Sequence, residues 1–201
     1  MLRLYDELES GNGYKVRLLL AHLGLPYERI ELDLAKGETR TPEFLTKNPI
    51  GKIPTLELDD GKTLAESNAI LWYLSEGTFY QPDGRLDRAR SLSWMFFEQY
   101  SHEPNIAVAR SILLHPERNA TRAPLLPERH EKGYAALGVM ETHLKDRTFF
   151  VGERYSIADM SLYAYTHVAH EGGFDLAPYE AVRAWLARVA AQPGYIPITQ
   201  G

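Results

Sequence analysis

Length, composition and charge already exclude several classes of protein for this chain of 201 residues. Its 44% hydrophobic and 24% charged residues are typical of a folded protein with one large or two small domains. No apolar run approaches the ~20 residues of a membrane span, and no signal peptide is recognisable, so we expect a cytoplasmic protein with no membrane partner. The net charge of −5 argues against binding to nucleic acid, and the lack of cysteine excludes disulfides, thiolate nucleophiles and Cys-ligated metals.

The first 75 residues alternate between strand and helix patterns. A short apolar run at residues 2–5 is typical of a buried strand. The i, i+3, i+4, i+7 spacing of apolar residues from Val16 to Leu23 predicts a helix that ends at Gly24. Apolar and acidic residues then alternate over residues 30–34, which is the period of a half-buried strand.

Two further helices and a hairpin complete this first region. Thr41 followed by Pro42 predicts a helix start, because threonine caps well and proline is favoured at the first helical position. Alternation around the turn Asp60-Gly61 predicts a β-hairpin over residues 56–64, and a third helix follows directly. The predicted order is therefore strand, helix, strand, helix, strand, strand, helix.

The composition changes near residue 80, where Pro82 and Gly84 are typical of a linker. Only helix patterns follow it. We therefore predict a first domain over residues 1–77, a linker over residues 78–85 and an all-helical domain over residues 86–201.

Two features of the helical region raise the question of function. Phe96, Phe97 and Tyr100 recur at helical spacing, for which core packing is the expected explanation. His167 and His170 stand three residues apart, but the sequence indicates no third ligand, so we expect no metal site.

Four short segments carry a family resemblance: residues 10–16 (SGNGYKV), 48–54 (NPIGKIP), 66–70 (ESNAI) and 156–159 (SIAD). Each is weak alone, but their order and spacing resemble the cytosolic glutathione S-transferase family over essentially the whole chain. The resemblance implies a thioredoxin-like βαβαββα domain followed by a helical-bundle domain. It also implies that the fourth segment is a helix capping box, which is structural.

Glutathione has two carboxylates, one ammonium group and one thiol, and the resemblance assigns residues to them. Glu66 would pair with the ammonium, and Ser67 would offer its hydroxyl and N–H to the γ-glutamyl carboxylate at a helix start. Lys52 would face the glycyl carboxylate. Ile53, before a cis Pro54, would pair with the ligand's cysteine like an added strand. Local explanations stay open, since Glu66-Ser67 also suits a simple helix start and most X–Pro bonds are trans.

The thiol requires a donor at the start of the first helix. A free thiol with pKa ~8.5 is only a few per cent ionised at pH 7, and lowering that pKa by about two units needs roughly 2.7 kcal/mol. A helix N-terminus (about 0.3–1 kcal/mol) and one hydrogen bond to the charged sulfur (about 1.5–3 kcal/mol) together suffice. Ser10 matches the serine of theta-like transferases, and Asn12-Gly13 matches a bacterial disulfide-reducing group. Tyr5 lies near the tyrosine position of other classes, but we expect it mainly in the core.

The leading hypothesis is a homodimeric glutathione transferase in which Ser10 and Asn12 activate glutathione, the co-substrate, and no other cofactor is used. The thiolate would attack a small hydrophobic electrophile in a pocket lined by the helical domain. The resemblance implies that the helix carrying Phe96, Phe97 and Tyr100 also walls this pocket and the dimer interface, so this alternative to core packing stays open. One alternative is glutathione-dependent disulfide reduction without a protein cysteine, and another is a non-catalytic interaction protein. The presence of Ser10 together with Glu66 and Ser67 argues against the non-catalytic alternative.

Overall fold

The computed structural model describes residues 1–201, which form two compact units. The first unit comprises Met1–Thr78 together with Pro193–Gly201, and the second comprises Phe79–Gln192. None of the helices combines the length and apolar character that a bilayer span requires.

The first unit contains four strands and three helices in the predicted order. They are β1 (Leu2–Asp6), α1 (Gly11–Leu23), β2 (Tyr27–Glu31), α2 (Pro42–Lys47), β3 (Thr55–Glu57), β4 (Thr63–Ala65) and α3 (Ser67–Ser75). The strands form one sheet in the spatial order β2-β1-β3-β4. β1 pairs in parallel with β2 and antiparallel with β3, and β3 pairs antiparallel with β4. The prediction of a thioredoxin-like domain is confirmed.

Local sequence signals set the ends of these helices. Gly24 ends α1 in the left-handed conformation, with φ 61°, which glycine adopts without a steric penalty. Thr41 caps α2 by accepting the N–H of Phe44 at 3.2 Å. Helices α1 and α3 pack on the sheet through a core whose central residues are Leu4, Val16, Leu20, Leu56 and Ile70.

The tail Pro193–Gly201 packs with the first unit, whereas the predicted boundary placed all of residues 86–201 in the helical domain. The buried Tyr14 donates its hydroxyl to the carbonyl of Ile196 at 2.7 Å, and the buried Arg17 donates to the carbonyl of Ile198 at 2.9 Å. These are backbone contacts of an irregular segment, and such a segment has no periodic signal in the sequence.

The second unit is all-helical, as predicted. Its helices are α4 (Arg85–Phe97), α5 (Glu103–Leu114), α6 (Leu126–Leu144), α7 (Ile157–Thr166) and α8 (Glu180–Ala190). A π-helical segment, Glu98–His102, joins α4 to α5. Every residue of α7 is buried, so this helix lies at the centre of the unit.

The expected core position of the aromatic stripe Phe96, Phe97 and Tyr100, at the end of α4 and in the π-helical segment, is wrong for two of its residues. Phe96 is 68% exposed and Tyr100 is 87% exposed. The buried face instead carries Met95 together with polar residues such as His102, whose Nε2 lies 2.8 Å from the hydroxyl of Thr166 in α7. Because buried residues of this face, such as His102 and Glu98, are polar, its apolar content does not identify it as the buried face.

Candidate functional site

The start of α1 presents two accessible polar side chains. Ser10 is the N-cap, and its Oγ accepts the N–H of Gly13 at 3.1 Å. Ser10 and Asn12 are half-buried, whereas Gly11 and Gly13 are buried. The hydroxyl of Ser10 and the amide of Asn12 are therefore the side-chain groups that this helix start can offer to a ligand.

A buried ion pair lies beneath this helix start. A Cβ atom at Gly13 would overlap the carboxylate of Asp6, so only glycine fits there without a shift. Asp6 is fully buried, and its Oδ2 lies 3.0 Å from Nε of Arg17. Burial raises the pKa of Asp6 to about 6, while the attraction of Arg17 acts in the opposite direction. The end of β1 and the first turn of α1 are thus packed tightly together.

The start of α3 lies beside the start of α1. The hydroxyl of Ser67 donates to Oδ1 of Asn12 at 3.1 Å and accepts a hydrogen bond from Nζ of Lys15 at 3.3 Å. Ser67 is 5% exposed, and Lys15 is fully buried. The structure therefore joins two sequence-predicted site residues, Asn12 and Ser67, by a direct hydrogen bond.

Glu66, the residue before α3, has an unusual backbone conformation. Its φ is 70° and its ψ is 112°, a region that residues other than glycine rarely adopt and that costs about 1–3 kcal/mol. The exposed side chain occupies the N-cap position but makes no capping hydrogen bond. Simple side-chain capping therefore does not explain a glutamate with this strained backbone.

The loop over residues 48–54 is organised by one buried amide. Oδ1 of Asn48 accepts the N–H of Ile50 at 3.0 Å, and Nδ2 donates to the carbonyl of Lys52 at 2.8 Å and to Oγ1 of Thr55 at 3.1 Å. Asn48 is 2% exposed. Its side chain thereby fixes the backbone that leads into residue 53.

The peptide bond Ile53–Pro54 is cis, as the resemblance implies. Ile53 is half-buried, and Pro54 is buried. The side chain of Lys52 is exposed and makes no hydrogen bond or ion pair with the other site residues that the sequence predicted.

The side chain of Tyr5 lies away from the start of α1. Because side chains alternate along a strand, Tyr5 lies on the face of the sheet opposite Asp6 and the start of α1. Its hydroxyl donates to Oε2 of Glu57 at 2.8 Å, and its ring packs against Phe44. Burial raises the pKa of Tyr5, and its hydrogen bond to Glu57 raises it further. This tyrosine therefore contributes to packing, and its proton is committed to a carboxylate.

Sequence reasoning gave no individual role to Lys15 or Asn48. Both lie in the segments that carry the resemblance, but a lysine inside a helix pattern is normally solvated, and an asparagine before proline is normally a turn residue. The burial of a charged residue cannot be read from the periodicity of its neighbours. The structure identifies both as supports of predicted site residues.

The second unit has a cleft of about 470 Å³ between α4, α5 and α6, lined by both apolar and polar residues. Phe97 and Tyr100, from the predicted aromatic stripe, line it together with Pro104 and Val139. Arg129 and Lys132 supply positive charge at its wall.

Comparisons with known proteins agree with this arrangement. Residues 1–76 match the family model "Glutathione S-transferase, N-terminal domain", and residues 101–193 match "Glutathione S-transferase, C-terminal domain". The chain is 33% identical to the disulfide-bond oxidoreductase YfcG of Escherichia coli, covering 90% of this chain and 87% of that protein. It is 30% identical to glutathione S-transferase 3 of Zea mays, covering 96% and 91%. A crystal structure of a glutathione S-transferase from Pseudomonas fluorescens superposes with a TM-score of 0.96 at 50% identity, covering 99% of both chains.

Proposed function

The chain belongs to the glutathione S-transferase family of enzymes, and we propose that it binds glutathione in its first unit and transfers the thiolate to a small hydrophobic electrophile. The observation that carries this proposal is the hydrogen bond between Asn12 and Ser67. It brings a candidate thiol donor beside a candidate carboxylate site.

Glutathione would lie across the starts of α3 and α1. The Glu66 carboxylate would pair with the ligand's ammonium, and the backbone N–H of Ser67 would bind the γ-glutamyl carboxylate at the positive end of α3. The hydroxyl of Ser67 already donates to Asn12, so the backbone N–H is the donor left for this carboxylate. The backbone of Ile53 would pair with the ligand's cysteine, and the exposed Lys52 would reach the glycyl carboxylate.

The thiolate would lie at the start of α1. The Ser10 hydroxyl and the Asn12 amide would donate to the sulfur, and the helix dipole would add to their effect. In the transfer step the sulfur forms a bond to an electrophilic carbon, and a leaving group such as halide departs with the electron pair. The ionised form of the thiol is the nucleophile, so stabilising it raises the rate at pH 7.

Disulfide reduction is the second candidate, favoured by Asn12-Gly13 and by the likeness to an oxidoreductase. Here the thiolate attacks one sulfur of a disulfide substrate and releases the other as a thiolate. A second glutathione then attacks the mixed disulfide, giving glutathione disulfide and the reduced substrate, so no protein cysteine is required. A non-catalytic interaction protein is the third hypothesis, and the strained Glu66 beside Ser67 disfavours it.

We further propose that the protein is a homodimer that acts in the cytoplasm, where glutathione keeps thiols reduced. The exposed apolar side chains on α4 and α6 support a self-association surface, since several large ones lie there: Leu86, Phe96 and Val139. Light scattering after size-exclusion chromatography tests the dimer, because a mass of one chain at micromolar concentration contradicts it.

A pH–rate profile with two substrate types tests the function. Wild type, Ser10→Ala and Asn12→Ala are assayed with an aryl halide and with a low-molecular-weight disulfide. For a transferase we expect Ser10→Ala to lower aryl-halide turnover at pH 7 about ten-fold or more, with partial recovery as the pH rises. For a reductase we expect high activity with the disulfide, feeble activity with aryl halides, and an effect of Asn12→Ala at least as large as that of Ser10→Ala.

Two controls make the outcome decisive. Ser156→Ala removes a serine from another helix start and should not change either profile. If both site variants keep wild-type profiles, neither residue activates the thiol. If the wild type does not bind glutathione in calorimetry, the family's chemistry is absent and the interaction-protein hypothesis replaces it.

A further inference from the structure

Lys15 is a fully buried lysine in the second turn of α1. Lysine is rarely buried to this extent unless polar partners surround it. One such partner is Oγ of Ser67, 3.3 Å from the Lys15 Nζ. The burial of this ammonium group next to a predicted ligand site therefore needs a physical explanation.

The chemistry of the three groups fixes the direction of their hydrogen bonds. An ammonium can only donate, so Ser67 Oγ must accept from Lys15. The proton of the Ser67 hydroxyl is thereby directed to Asn12, 3.1 Å away. Only the carbonyl oxygen of an amide accepts, so Oδ1 of Asn12 faces Ser67 and its NH₂ group faces away from it.

This orientation matters because the two ends of the Asn12 amide act oppositely on an anion. The NH₂ group donates to a thiolate, whereas Oδ1 repels it. Without the Lys15 ammonium, the Ser67 hydroxyl is free to turn and accept from Asn12. The hydrogen bond to Ser67 then no longer selects the orientation in which the Asn12 NH₂ group points outward.

We propose that Lys15 is a positioning residue that orients Asn12 through Ser67, so that the Asn12 amide donates to the glutathione sulfur. This inference rests on the proposed glutathione site. It adds to that site a residue that does not touch the ligand, and it explains why a charged side chain is buried at this point of α1.

A competing explanation is that the Lys15 charge acts directly on the thiolate through space. The two explanations differ in whether Asn12 is needed. If Lys15 acts through Asn12, removing Lys15 has no further effect once Asn12 is gone. A direct charge effect persists in the absence of Asn12.

The test is a double-mutant cycle on the thiol pKa of bound glutathione, measured from the ultraviolet absorbance of the thiolate as a function of pH. Lys15→Met keeps the length of the side chain and removes the charge, and Asn12→Ala removes the amide. We expect each single variant to raise the thiol pKa by about one unit, a ten-fold loss of thiolate near pH 7. The double variant should raise it no further than the larger single effect.

The other charged groups near the starts of α1 and α3 are the same in the wild type, the two single variants and the double variant. Asp6 packs against Gly13 in the first turn of α1 and pairs with Arg17, Glu9 precedes Ser10, and Glu66 precedes α3. Their titration therefore cancels in the comparison between variants. Lys36→Met, at an exposed lysine paired with Asp33, is the matched control and should leave the thiol pKa unchanged.

Ser67→Ala provides a second route if Lys15→Met does not fold. It breaks the chain of hydrogen bonds in the middle while the Lys15 charge stays, and we expect it to raise the thiol pKa as Asn12→Ala does. An unchanged thiol pKa in either variant, or additive effects of Lys15→Met and Asn12→Ala, overturns the proposal. Failure of the wild type to bind glutathione is a different result, because it overturns the proposed function itself.

Discussion

Two helices of this protein have a serine N-cap, but the polar groups around the two serines differ. Ser10 precedes α1 and Ser156 precedes α7. The third helical residue is glycine in α1, Gly13, and an acid in α7, Asp159. With the acid, the hydroxyl of the serine cap donates to a carboxylate within the protein, whereas the glycine offers no such acceptor.

At the start of α7, the Asp159 carboxylate accepts four hydrogen bonds. Oδ2 of Asp159 accepts the N–H of Ser156 at 3.0 Å and its hydroxyl at 3.1 Å, which completes the predicted capping box. Oδ1 accepts the N–H of Phe150 at 3.1 Å and the indole N–H of Trp185 at 3.0 Å. Asp159 and Ser156 are fully buried, so this helix start is structural.

At α1 no acid reaches back from the third position. The Asp6 carboxylate packs against Gly13 from below and pairs with Arg17 instead. Ser10 and Asn12 stay half-buried at the surface. The comparison teaches that a serine cap by itself says nothing about function, because the distinguishing feature is whether its surroundings leave donors for a ligand.

The largest expected effect is at the structural helix start. Asp159→Ala should lower the free energy of unfolding by about 4 kcal/mol or more, because each buried donor left unsatisfied costs about 1–3 kcal/mol and four lose their acceptor. Urea denaturation measures the loss. The folded fraction should bind glutathione as the wild type does. A loss below about 1 kcal/mol would show that water replaces the carboxylate without penalty.

The next effect separates stability from binding at Glu66. Glu66→Gly removes the strain of a positive φ, so the melting temperature should not fall. Loss of the carboxylate should weaken glutathione binding about 10- to 100-fold, the scale of about 1.5–3 kcal/mol for a charged hydrogen bond. Glu66→Gln should weaken binding similarly while keeping the strain.

The second positive-φ glutamate is the matched control for this prediction. Glu153 has φ 52° and lies in the second unit, where no glutathione contact is proposed. Glu153→Gly should leave affinity unchanged in calorimetry. Equal affinities for wild type and both Glu66 variants would remove Glu66 from the site.

A smaller effect concerns the glycine that distinguishes the two helix starts. Gly13→Ala should destabilise the protein by about 1–3 kcal/mol, because the new methyl group meets the Asp6 carboxylate. Gly138 lies within α6, where an added methyl group would enter open space, so Gly138→Ala should instead stabilise by about 0.5–1 kcal/mol. Thermal unfolding of both variants checks the contrast, and the same sign for both would contradict the packing argument.

Much of the fold was predictable because its signals are local. The end of α1 at Gly24, the cap Thr41 of α2, the hairpin turn at Asp60-Gly61 and the capping box at Ser156 all depend on neighbours in sequence. The order of elements in the first unit followed from these signals, and the family resemblance supplied the topology of the sheet.

The parts that were not predictable depend on contacts between residues distant in sequence. Lys15 is buried beside Ser67 of α3, and Phe96 is exposed while the nearby polar His102 is buried and contacts Thr166 of α7. The candidate site itself was named from the resemblance, while the hydrogen bond from Ser67 to Asn12 required the structure. Sequence reasoning therefore named candidate ligand-binding residues more readily than the residues that support them.

The last and smallest effect compares the two serine caps directly. Ser10→Ala and Ser156→Ala should each lower the free energy of unfolding by about 0.5–2 kcal/mol, the usual range for a lost N-cap. Only Ser10→Ala should also raise the thiol pKa of bound glutathione, by about one to two units, because only Ser10 has a hydroxyl proton that a ligand can reach. Urea denaturation gives the first quantity and thiolate absorbance the second. If Ser156→Ala also raises the thiol pKa, the shift reflects a general loss of stability and not a lost hydrogen bond to the sulfur. Were Ser10→Ala to change stability alone, Ser10 would be a structural cap like Ser156, and Asn12 would remain as the side-chain donor at the start of α1.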